Sequence, residues 1–189
     1  MNHALVLTHG AGSNCETPLL RAIDAALSAR GLLVIRYDLY FRGQRRGGPP
    51  SPGTAEKDRE SIREAIAGAR RQVTGRVLAG GHSYGGRQTS MVAAEDPSLV
   101  DGLLLLSYPL HPPGRPEQLR VAHFAALRTP ALFVHGDRDD FGTVEEMRRH
   151  IPSGSELMVV PGAGHALAGK NAGPVAERIA DAVQRVLGA

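Results

Sequence analysis

Short runs of apolar residues recur along the chain at 4–8, 32–36, 76–80, 102–106, 131–135 and 157–160, each closed by Gly, Asp, His or Ser. They are nearly continuous rather than alternating, the pattern of strands covered on both faces, so six buried strands are expected. Between them, apolar residues at helical spacing predict helices over 18–30, 55–73, 87–95, 117–127, 144–150 and 174–187. Strand and helix alternate throughout. With right-handed crossovers, that order specifies an open sheet of about six mainly parallel strands with helices on both sides, a three-layer α/β/α sandwich. The stretch 43–53, rich in Gly, Pro and Arg, separates the second strand from a long amphipathic helix and reads as a mobile or substrate-facing loop.

Composition narrows the class. The 189 residues are 42% hydrophobic and 22% charged, enough apolar material for a sizeable core, and the length fits one domain over 1–189. No apolar stretch approaches the ~18 residues of a membrane span, and the first ten residues lack a basic segment followed by a long apolar one, so a cytoplasmic protein is expected. The single cysteine, Cys15, excludes an internal disulfide framework and a multi-thiolate zinc site. The formal charge is +3, with all lysine confined to Lys57 and Lys170. Positive charge is interspersed rather than banked in a stripe, and one local cluster, Arg42, Arg45 and Arg46, is a weak basis for nucleic-acid binding.

In an open parallel sheet the ligand crevice lies beyond the carboxyl ends of the strands, which directs attention to the residues just after each one. After the third strand comes Gly81-His82-Ser83-Tyr84-Gly85-Gly86, a Gly-x-Ser-x-Gly turn leading into a helix. Such a turn projects a serine Oγ from the sheet in a strained conformation, with glycines removing side-chain collisions. It also sets the Tyr84 N–H and the positive end of a helix beneath an anion forming at an attacked carbon. Neither a phosphate-binding Gly-x-x-x-x-Gly-Lys-Ser/Thr nor a Gly-x-Gly-x-x-Gly pattern aligns here.

A serine needs a base, and the base needs a carboxylate to orient it. His165, in the Gly-bearing loop after the last strand, is the candidate general base. His82 neighbours Ser83, but adjacent residues in a sharp turn point apart, so it packs beside the site. His3, His123 and His150 fall at helical or terminal positions. For the carboxylate, the strand 131–135 runs into Gly136-Asp137-Arg138-Asp139-Asp140, and spacing leaves Asp137, Asp139 and Asp140 all open. The first strand ends in His9-Gly10-Ala11-Gly12-Ser13, whose Ala11 N–H is a candidate second oxyanion donor, with Gly12 next. His9 and His135 sit at strand ends, but no clear third ligand accompanies them for a metal.

These segments, His9-Gly10-Ala11-Gly12, Gly81-His82-Ser83-Tyr84-Gly85, Gly136-Asp137-Arg138-Asp139 and Gly164-His165, resemble those of the α/β-hydrolase superfamily over almost the whole chain. The resemblance selects Asp139 as the acid. Ser107 to Pro112, with Leu132-Phe133-Val134, looks like a small subgroup of α/β-fold hydrolases. The chain begins at what would be the family's third strand, implying a minimal six-stranded sheet with the first strand interior, and the short segment after the fourth strand implies no large cap. In size it resembles dienelactone hydrolases, which use cysteine, whereas Ser83 aligns it with esterase-like members.

The expectation is a serine hydrolase of carboxylic esters or related acyl compounds, working through an acyl-enzyme without metal or organic cofactor on a small-molecule acyl substrate. Tyr40, Phe41 and Arg42 after the second strand, and Tyr108, Leu110 and His111 after the fourth, are the expected substrate contacts, with Arg42 and Arg46 favouring an anionic acyl group. The competing reading is a non-catalytic binding or scaffold protein that retains the fold.

Overall fold

The computed structural model describes residues 2–45, 47–51, 53–169 and 171–188; Arg46, the third member of the basic cluster, lies outside them. Strands β1 (Ala4–Thr8), β2 (Leu33–Arg36), β3 (Val77–His82), β4 (Gly102–Leu106), β5 (Ala131–Gly136) and β6 (Glu156–Val160) form one sheet in the order β2-β1-β3-β4-β5-β6, every pair parallel. The helices are α1 (Pro18–Ser28), α2 (Tyr40–Gln44), α3 (Ala55–Arg70), α4 (Tyr84–Glu95), α5 (Val144–His150) and α6 (Gly173–Leu187).

The near-continuous apolar strands are buried on both faces because alternate side chains feed two separate cores. Ala4, Val6, Leu103, Leu105 and Phe133 point to the side covered by Ile62 and Ile66 of α3, Val92 of α4 and Met147 of α5. Leu5, Leu7, Leu104, Leu106 and Leu132 point to the side covered by Leu20, Ile23 and Leu27 of α1 and Ile179 and Val183 of α6. Each fully buried Leu or Ile contributes about 1.5–3 kcal/mol, so the two layers of helices are held by their apolar stripes. Local signals agree with this packing: Pro18 opens α1, a reciprocal Thr143–Glu146 capping box opens α5, and Gly188 ends α6 in the left-handed conformation.

Two expectations change. Residues 117–127 form no α-helix; only Ala122–Ala125 makes a 3-10 turn. The Arg120 N–H donates to Leu110 O at 2.8 Å and the Arg120 carbonyl accepts the Tyr108 hydroxyl at 2.6 Å, so tertiary hydrogen bonds take the backbone groups a helix would have used. The short helix α2 was not anticipated. It spans five residues and has no side-chain cap, too little for a periodic signal. Among the described residues, the chain between β4 and β5 holds turns and that one 3-10 turn, so the sheet carries no helical cap.

The chain leaves β1 toward β2 on one side and returns to β3 on the other, so the turns after β1 and β3 lie together where the winding reverses.

Candidate active site

Ser83 occupies φ 51° and ψ −114°, a left-handed region that a non-glycine residue rarely adopts. Its N–H donates to Leu106 O of β4 at 2.8 Å, and the Gly85 N–H donates to His9 O at 3.1 Å, which together hold the bend. The flanking glycines are required by the neighbouring strand more than by the serine. A Cβ on Gly85 would come within 2.4 Å of His9 O, and one on Gly81 within 2.7 Å of Thr8 O. Close approach between the turn after β1 and the start of α4 therefore needs glycine. This packing also admits Gly85 and Gly86 into α4, which begins at Tyr84 rather than near Arg87.

The Ser83 hydroxyl lies 2.8 Å from His165 Nε2, and His165 Nδ1 lies 2.9 Å from each carboxylate oxygen of Asp139. An ionised carboxylate only accepts, so Nδ1–H donates to Asp139 and Nε2 is left to accept from Ser83. Burial opposes a charge on Asp139, but the hydrogen bond and field of His165, with the Phe141 N–H at 2.9 Å, outweigh it and hold the carboxyl below its usual pKa. Of the three aspartates that spacing left open, Asp137 and Asp140 are exposed and Asp139 is buried. Asp137 instead accepts the Gly162 N–H at 2.7 Å, tying the loop after β5 to the one carrying His165.

Two neighbours hold the imidazole. Phe141 stacks on the His165 ring at 4.0 Å between centroids. His82 Nε2–H donates to the His165 carbonyl at 2.7 Å. Burial lowers the His82 pKa to about 4 despite that bond, so its ring is neutral at neutral pH. Behind Asp139, the fully buried His135 donates from Nε2 to Gly142 O at 2.7 Å, with Nδ1 3.8 Å from Asp139 Oδ2. Phe141 carries no motif signal, while His135 and Asp139 share an i,i+4 spacing across a strand end.

The Ala11 and Tyr84 N–H groups meet no protein acceptor among the described residues, and Tyr84, as the first residue of α4, has no intrahelical one. The turn after β1 approaches the bend closely: a Cβ on Gly10 would sit 3.5 Å from Ser83 Cβ.

The expected substrate contacts are largely corrected. Phe41 and Tyr108 are each 1% exposed, Phe41 packing against His9 and Tyr84 and Tyr108 against Phe124 and Phe133, so both serve the core. Leu110 is fully buried in the same core. Arg42 is buried, its guanidinium donating to the carbonyls of Ala11, Ser13, Arg45 and Gly48 at 2.8–3.2 Å, which commits it to bracing loops. His111 is buried against Pro112 O and Glu146. Tyr40 is half-buried, with the Lys57 ammonium 5.0 Å from its ring centroid.

His9 is fully buried with both nitrogens engaged, Nδ1–H to Gly10 O and Nε2 from the Leu39 N–H, a structural clasp. No group of three or more His, Cys, Asp or Glu among the described residues is arranged to hold a metal. Burial, then contact with Asp38, raises the Cys15 thiol to about 11, so it carries no thiolate at neutral pH. A cavity of about 180 Å³ with Leu19, His82, Ala166 and Ala168 in its wall adjoins the site on the α1 side. No helix among the described residues is long and apolar enough to cross a membrane.

Solved structures share this architecture at low sequence identity. Est1E from Butyrivibrio proteoclasticus, seen with ferulic acid, is 19% identical over 98% of this chain and 90% of its own, with a TM-score of 0.75. Dienelactone hydrolase from Anabaena variabilis is 19% identical over 98% of this chain and 87% of its own, also at 0.75. A serine hydrolase homologue from Coxiella burnetii is 18% identical over 97% and 84%, at 0.72. The sequence itself matches the alpha/beta hydrolase domain over residues 1–187. With that match spanning nearly the full length, the chain belongs to the α/β-hydrolase family.

Proposed function

We propose that the protein is a serine hydrolase of carboxylic esters or related acyl compounds, acting through an acyl-enzyme. The observation that carries this reading is the hydrogen-bonded chain from Ser83 Oγ through His165 to buried Asp139, 2.8 and 2.9 Å, on a strained turn. Ser83 Oγ attacks the substrate carbonyl while His165 Nε2 takes its proton. Asp139 stays ionised, holds the imidazole in the Nδ1–H tautomer and stabilises the imidazolium. The tetrahedral oxyanion is met by the N–H groups of Tyr84 and Ala11. Collapse expels the alcohol, which takes the proton from His165, and water activated by the same imidazole releases the acid and regenerates Ser83.

The cavity of about 180 Å³ beside His82 suits a short acyl or alcohol group. The test is labelling with a fluorophosphonate probe alongside hydrolysis of 4-nitrophenyl esters graded by chain length. Labelling of the wild type and none of Ser83→Ala is expected. A folded wild type that neither labels nor turns over would favour a non-catalytic binding protein.

A further inference from the structure

His135 lies at the carboxyl end of β5, and its Nε2–H donates to the carbonyl of Gly142, seven residues on, at 2.7 Å. Gly142 immediately precedes Thr143, the N-cap of α5, so this one bond closes the base of the turn 137–142 between strand and helix. The turn carries two of the groups that contact the His165 ring. Asp139 places each carboxylate oxygen 2.9 Å from Nδ1, and Phe141 stacks at 4.0 Å between centroids.

Backbone bonds inside the turn are long: Asp139 N–H to Gly136 O is 3.3 Å and Gly142 N–H to Asp139 O is 3.4 Å. Well-formed N–H···O bonds cluster near about 2.9–3.0 Å, so the imidazole-to-carbonyl bond is the firmer tie. Arg138 N–H to Ala163 O at 2.9 Å and His111 N–H to Phe141 O at 3.1 Å join the turn to neighbouring loops and leave its base to His135. The residue type points the same way. His135 is fully buried, and its Nδ1 has no hydrogen-bond partner among the described residues. A buried polar atom without a partner costs stability, a cost that an apolar side chain such as Phe133 on the same strand does not incur. What the histidine adds over an apolar residue is the donor at Nε2.

We propose that His135 is a positioning residue for hydrolysis: by closing the base of the 137–142 turn through Gly142, it holds Asp139 on Nδ1 of His165 and Phe141 against the same ring. The inference rests on the hydrolase reading above and adds to it a residue that touches neither substrate nor base. Without the bond the turn opens, and a displacement of about 1 Å at a catalytic group is enough to cost about 10²-fold in rate. Substrate binding is untouched, so the loss falls on kcat and not on KM.

The experiment compares the wild type with His135→Leu, which removes the donor, and with His135→Gln, whose side-chain N–H stands the same number of bonds from the backbone. On a 4-nitrophenyl ester, kcat should fall about 10- to 100-fold in His135→Leu at similar KM, and His135→Gln should exceed His135→Leu by about tenfold. A second readout needs no turnover. The Nδ1 proton that His165 shares with Asp139 gives a far-downfield proton NMR resonance, expected in the wild type and His135→Gln, absent from Asp139→Asn, and lost or broadened in His135→Leu. Should His135→Leu not fold, His135→Asn, polar but one bond too short to reach Gly142, takes its place. A folded donor-less variant with wild-type kcat and resonance, or equal losses in it and in His135→Gln, overturns the proposal. If the wild type shows the resonance but hydrolyses nothing, the hydrolase reading fails and the resonance series decides alone: loss in His135→Leu with retention in His135→Gln upholds the positioning role, and retention in both overturns it.

Discussion

The Tyr84 hydroxyl donates to Asp58 Oδ2 at 2.7 Å, and the other oxygen of the same fully buried carboxylate accepts the Phe41 N–H at 2.9 Å. One side chain of α3 thereby anchors both the residue after the serine and the first turn of α2. The backbone N–H of Tyr84 is a proposed oxyanion donor, so its side-chain anchor sets how rigidly that donor is held. Asp58→Ala would leave the Tyr84 hydroxyl and the Phe41 N–H without their acceptor and should cost about 2–4 kcal/mol in urea unfolding. Tyr84→Phe should cost less, about 1–3 kcal/mol, because Asp58 keeps one of its two donors.

Ser83 combines strain with reactivity. Glycine tolerates φ 51° without the Cβ penalty, so Ser83→Gly should raise stability by about 1 kcal/mol while eliminating ester hydrolysis. Unfolding midpoints and initial rates measured on the same preparation check both halves.

Asp139→Asn keeps the shape of the acid and removes the charge that selects the Nδ1–H tautomer of His165. A fall in kcat of about 10³–10⁴-fold is expected, with KM little changed, because the lost interaction is with the catalytic base and not with bound substrate. Steady-state kinetics on a chromogenic ester provide the measurement.

At Gly85, an alanine Cβ would meet His9 O at 2.4 Å, and since that atom is backbone no side-chain rotation relieves the clash. Gly85→Ala should destabilise the fold by about 2–4 kcal/mol and lower kcat, since the shift separates the turns after β1 and β3. Thermal unfolding with parallel activity assays tests it. Gly12→Ala, where a Cβ meets nothing within 4 Å, is the matched control for stability.

Acid should weaken the fold in two stages. The neutral His82 ring resists protonation down to about 4, whereas in the unfolded chain it titrates near the ordinary value of 6.5. Between those values the unfolded state binds the extra proton, so stability is complete above pH 6.5 and declines as the pH falls toward 4. Asp139 contributes at lower pH: its stabilisation is present above the ordinary carboxylate range and disappears as the pH falls through its depressed value. Urea midpoints between pH 7.5 and 4 should decline, and His82→Gln should flatten the upper part of that decline without abolishing it, because His123 is displaced in the same direction.

Much of the architecture was legible because burial on both faces writes itself as uninterrupted apolar runs, and all six predicted strands lie in the sheet. The turn at Ser83 and the loop of His165 were legible for a related reason: topology brings the ends of parallel strands together. Which aspartate faces inward was not, since Asp137, Asp139 and Asp140 share one turn and their exposure depends on how it meets the loop after β6. The misreading of Tyr108 has a local cause. Ser107 adopts φ 46°, which redirects the chain at the end of β4 and buries the aromatic ring that a strand-end position made look exposed. Residues 117–127 kept a helical spacing of apolar groups, but hydrogen bonds between Arg120 and residues 108 and 110 overrode it.

Arg42 clasps the carbonyls of Ala11 and Ser13 on one side and those of Arg45 and Gly48 on the other. That single guanidinium ties the turn after β1 to the chain that follows α2, so the two segments move as one. Residues 113–119, by contrast, run exposed through two prolines and a glycine. A change in that exposed stretch would leave the Arg42 clasp, and the turn after β1 that it holds, undisturbed.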